Sequence, residues 1–103
     1  MKPTDNHEYD MGYTPAEFKK VLEGGFSDAR SPYQVDQQEN QRWRITDAQG
    51  LTVDLTITAN PARKLGLLEL PSLAVKFDFI DTETTAKSML FDRFFKYFHK
   101  GGG

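Results

Sequence analysis

A two-layer α+β domain, ordered helix, four strands, helix, follows from three features of this chain. A compact helix-start signal lies at residues 13–18, residues 41–80 alternate apolar with polar side chains, and residues 81–100 carry a long helical apolar arc. Short connections make neighbouring strands antiparallel, giving a four-stranded meander. One face of that sheet is apolar and the other polar, so both helices are expected on the apolar side.

The composition supports one small globular domain. The chain has 103 residues, 38% of them apolar and 13% aromatic, enough for a modest core and too many for a disordered chain. Thirteen basic residues against fifteen acidic ones leave a net charge of −2, which gives no global attraction to nucleic acid or anionic lipid. With no cysteine, disulfides, thiolate metal sites and cysteine nucleophiles are excluded. No apolar run approaches the roughly 20 residues that span a bilayer, so no membrane partner is expected, and a cytoplasmic location is the default.

In chain order, residues 1–11 are polar and turn-rich and are expected to form a flexible tail. His7, Glu8 and Asp10 lie close together there, but a loose segment lacks the fixed geometry of a metal site, and no metal or cofactor is expected. The domain itself is placed at residues 12–100. Thr14 is the expected N-cap, with Pro15 at the first helical position, Glu17 completing a capping box and Tyr13 stapling onto Phe18. This helix buries Phe18, Val21 and Leu22 and is expected to stop at Gly24 and Gly25 after about nine residues.

The strands follow. Tyr33 and Val35 alternate in a way that allows a short extra edge strand. In residues 41–46, Arg42 and Arg44 oppose Trp43 and Ile45. In residues 51–59, Leu51, Val53, Leu55 and Ile57 oppose Thr52, Asp54, Thr56 and Thr58. Asn60 and Pro61 are expected to break that strand. Residues 65–70, more apolar along their length than the other strands, read as a third and central strand, and Pro71 and Ser72 as a tight turn into a fourth at 73–80.

The last helix is expected over residues 81–100, with Asp81 or Thr82 as cap, Glu83 near the positive end of the dipole, and His99, Lys100 and Gly101 at the stop. Its apolar arc, centred on Phe94, is about twice the ~100° stripe that one core requires. Phe91, Phe95 and Phe98 crowd one flank, more than a short first helix covers. They form the candidate partner surface, for a protein partner or for a homodimer through this helix.

No catalytic constellation is present: the sequence holds no HExxH, GxSxG or phosphate-loop motif. Asp54 and Asp78 share the outer sheet face with Arg42, Arg44 and Lys76, a pattern that fits cross-strand ion pairing better than paired-carboxylate chemistry. Sheet-type RNA binders stack bases on outward aromatics, whereas Trp43, Phe77 and Phe79 here face the core, so nucleic acid is disfavoured. Gly101, Gly102 and Gly103, read as a flexible tail, resemble the diglycine end of ubiquitin-like sulfur carriers in those final residues alone, and here they follow a helix rather than a strand. The expected function is therefore that of a small protein-interaction module without catalytic activity. The alternatives are a domain with a small-molecule or catalytic pocket between sheet and helices and, more remotely, a carrier acting through its glycine end.

Overall fold

The computed structural model describes residues 4–27 and 30–98. Strand β1 (Thr4–Met11) precedes helix α1 (Pro15–Phe26). Strands β2 (Tyr33–Glu39), β3 (Arg42–Asp47), β4 (Thr52–Leu65) and β5 (Leu68–Ile80) follow, and then helix α2 (Thr84–Tyr97). The five strands form one sheet in the order β1-β5-β4-β3-β2, antiparallel throughout. The fold class is the α+β arrangement expected. The number of strands and several of their ends differ from the sequence reading.

The expected flexible tail is an edge strand. Asp5, His7, Tyr9 and Met11 register against Phe79, Phe77, Val75 and Leu73 of β5, which places them on the helix side. Asn6, Glu8 and Asp10 then face the other way, so the polar look of this stretch is that of a strand with one wet face. The same alternation puts His7 on the opposite side of the sheet from Glu8 and Asp10 and dissolves the metal trio. The described residues contain no cluster of three or more His, Asp or Glu that could hold a metal ion.

The strand expected to end at Asn60 continues to Leu65. A bulge between Asn60 and Arg63 absorbs Pro61, which is where a sheet tolerates proline. Residues 65–70 are the end of a hairpin rather than a central strand, and Pro71 and Ser72 lie within β5 rather than at a turn. Two long strands thus replace three short ones, while β1 and β2 supply the two sheet edges. Tyr33 and Val35 do belong to a strand.

Helix α1 opens as expected. Glu17 N donates to Thr14 Oγ1 at 3.2 Å, and Thr14 N donates to Glu17 Oε1 at 3.0 Å. It runs through Gly24 and Gly25 because packing outweighs glycine's poor propensity: Phe26 is wholly buried beside Phe94 and Tyr33. Helix α2 begins later than expected. Thr82 is engaged by the sheet, donating to the carbonyls of Ile80 and Thr52, and Asp81 takes a left-handed turn conformation (φ 47°). Glu83 is the N-cap and makes no side-chain cap bond. His99, Lys100 and the terminal glycines lie outside the described residues.

One core joins the layers. Trp43, Ile45, Val53, Leu55, Ile57, Leu73, Val75, Phe77 and Phe79 of the sheet bury against Phe18, Leu22 and Phe26 of α1, Leu90 and Phe94 of α2, and Phe98 just beyond it. No helix among the described residues is long and apolar enough to cross a membrane.

Candidate functional site

The three phenylalanines of the expected partner surface do not stay together. Phe98 turns to the α1 side and is buried, its ring 4.3 Å from that of Phe94 and 4.7 Å from that of Phe18. Phe91 and Phe95 stack on the opposite flank at 6.0 Å. That flank is roofed by β1, with the His7 ring 5.2 Å and the Tyr9 ring 5.9 Å from Phe91. The wide arc is therefore covered by α1 on one side and by the edge strand β1 of the sheet on the other. Tyr9 also meets Phe95 edge-on at 5.2 Å, and Phe95 keeps 39% of its surface exposed.

The larger apolar surface lies elsewhere, on an arm formed by the far ends of β4 and β5. Past the bulge, Arg63 pairs with Leu70, Lys64 with Glu69 and Leu65 with Leu68. Gly66, at φ 65°, begins a two-residue loop of the kind that takes glycine first, and Leu67 completes it. The alternation along the arm then fixes the faces. Leu65, Leu68 and Leu70 share the helix-free face with Arg63, while Lys64 and Glu69 point to the other side. The arm extends past the ends of its neighbours, since β1 reaches only Leu73 of β5 and β3 only Thr56 of β4. Among the described residues nothing covers its leucines: Leu67 is fully exposed, Leu68 is 65% exposed, Leu65 61% and Leu70 42%.

A polar network fastens the arm at its base. Arg63 Nη2 donates to Asp10 Oδ2, Ser72 Oγ donates to Asp10 Oδ1 at 2.8 Å, and Asn60 lies within reach of Ser72. Further along the same face, Arg44 grips Asp54 with two bonds of 2.8 and 3.0 Å, and the guanidinium holds the Asp54 carboxyl below its usual range. Asp54 and Asp78 do sit directly opposite each other, as their spacing suggested.

A cleft of about 410 Å³ opens between the β3–β4 turn and the start of α2. Tyr33, Asp47, Asp81, Glu83 and Met89 line it. Burial, and then the charge of Asp47, pushes the Tyr33 phenol up, so it stays protonated at neutral pH. Three carboxylates around a half-open cleft give it negative character.

Sequence reasoning missed the arm because a short leucine-rich stretch, four leucines in residues 65–70, looks like a buried strand. Two signals were present. Gly66-Leu67 has the form of a two-residue hairpin loop, and Pro61 and Pro71 stand at nearly equal distances from it. Compared with protein-family models, with curated proteins and with solved structures, the chain matches none.

Proposed function

We propose that this protein is an interaction module without catalytic activity, and that it docks through the leucine face of the β4–β5 arm. The observation that carries this is the exposure of Leu65, Leu67, Leu68 and Leu70 on one projecting hairpin. Single exposed apolar residues are ordinary on a protein surface, whereas a contiguous group of large ones marks a contact site. Burial of each such side chain gains roughly 1.5–3 kcal/mol, so an arm that stays wet forgoes most of that gain. Phe95, 39% exposed beside Tyr9, is the smaller surface and serves at most as a second contact.

The test places a photoreactive amino acid at Leu67 and, as a control, at Asp36 on the exposed edge strand β2. Irradiation in cells is expected to give discrete adducts from position 67 and none from position 36. Equal labelling from both positions, or no adduct from 67, would refute the proposal.

A further inference from the structure

The occupant of the arm follows from its charge, its edges and its area. We infer that the leucine face packs against the same face of a second copy, two arms lying face to face across a two-fold axis. This rests on the arm being the docking element. An anionic membrane surface attracts uncompensated cations, but Arg63 is tied to Asp10 and Lys64 stands across the hairpin from Glu69. The arm thus offers a lipid surface no net positive charge. The same neutralisation lets two copies approach without like-charge repulsion.

Pro61 and Pro71, at the base of the arm, each lack an N–H, so a strand added along either edge is limited to the three or four residues beyond them, which is too short to be the main contact. Contact through faces remains, and sheets pack face to face about 10 Å apart. An isologous contact must carry its own complement. Antiparallel overlap provides one, with Leu70 at the base of one arm meeting the Leu65–Leu68 pair near the tip of the other. Leu65, Leu68 and Leu70 on this face, with Leu67 at the tip beside them, make a contiguous apolar patch that is too small by itself for an obligate interface, which exceeds ~1,000 Å². A weak dimer with a micromolar Kd is the form this area supports.

Sedimentation velocity of the full chain from about 1 to 300 μM is expected to show mass rising from 11.8 kDa towards twice that value. Leu68→Lys should raise the dimer Kd at least tenfold, with the far-UV circular dichroism unchanged. A second measurement does not depend on destabilising anything. The chain has no cysteine, so a mixture of Leu68→Cys and Leu70→Cys chains, whose cysteines face each other in this overlap, should form a mixed interchain disulfide under mild oxidation, while a mixture of Glu69→Cys and Leu70→Cys chains should not, since Glu69 lies on the other side of the hairpin. A mass of 11.8 kDa at every concentration would overturn the inference, as would equal mixed crosslinking in both mixtures. Position-67 adducts consisting of other proteins, or binding of the monomer to phosphatidylcholine vesicles, would also overturn the second copy as occupant. The first of these leaves the interaction reading standing, so the two failures are distinguishable.

Discussion

Arg93 of α2 donates to the Gly25 carbonyl of α1 from both Nε, at 3.1 Å, and Nη2, at 2.9 Å. That carbonyl belongs to the last turn of α1, where intrahelical donors run out. The guanidinium also lies 5.7 Å from the centre of the Phe26 ring and 5.6 Å from that of Tyr97, so one side chain joins the two helices by hydrogen bonds and ring contacts together.

The two adjacent glycines of α1 should respond oppositely to alanine. A Cβ on Gly24 meets nothing within 4 Å, so Gly24→Ala should stabilise the fold by roughly 0.5 kcal/mol through helix propensity. A Cβ on Gly25 would lie 2.9 Å from the Tyr97 ring, and Gly25→Ala should cost about 1–2 kcal/mol. Urea unfolding midpoints check both, and the Arg93 contact should weaken only in the second variant.

Phe94→Ala should be the most damaging change in α2. The ring is wholly buried and lies 4.8 Å from Phe77 of the sheet and 6.2 Å from Phe18 of α1. A loss of about 3–5 kcal/mol is expected, a large part of the stability of a small domain. An unchanged melting curve would contradict its central place.

Asp54 gives the fold an acid-sensitive contact. Its folded-state pKa is depressed by Arg44, so its stabilising contribution is complete above the unfolded value of about 4 and is lost as pH falls through the lower folded value. Asp54→Asn should cost roughly 1 kcal/mol at neutral pH, since Arg44 is nearly half exposed and water replaces part of the interaction. The gap between wild type and variant should close below pH 4, as read by denaturant titrations at stepped pH.

Deleting residues 1–11 tests the edge strand. A disposable tail would leave stability unchanged, whereas loss of β1 strips β5 of a partner and uncovers Phe91 and Phe95. The expected loss is about 3–5 kcal/mol, accompanied by binding of an apolar dye, because Met11 and the Tyr9 roof go together.

Capping and alternation were legible in the sequence wherever one residue type has one physical role. Thr14, Pro15 and Glu17 announce a helix start in any context, and residues 42–57 alternate because one face is buried. The misread stretches are those where partners distant in sequence decide. His7 and Tyr9 become strand residues only because Phe77 and Phe91 wait some 70 to 84 positions later. Leu65 to Leu70 look buried until β1 and β3, the neighbours of β5 and β4, are seen to end before them. Phe91, Phe95 and Phe98 read as one flank too aromatic for α1 to cover alone, whereas in the structure α1 takes Phe98 and leaves Phe91 and Phe95 to another cover. That cover, β1, was hidden by polar side chains that belong to the opposite face.

The pairing of β1 with β5 also imposes an order on assembly. Thr4 lies opposite Ile80, so β1 is synthesised well before the strand it pairs with and has no partner until β5 has been made. Closing so long a loop is entropically expensive and slows folding. The hairpin of β4 and β5, joined by two residues, can form at once, and β1 arrives late to seal the aromatic flank of α2. Until then the rings of Phe91 and Phe95 lack the cover that Tyr9 gives them in the finished fold.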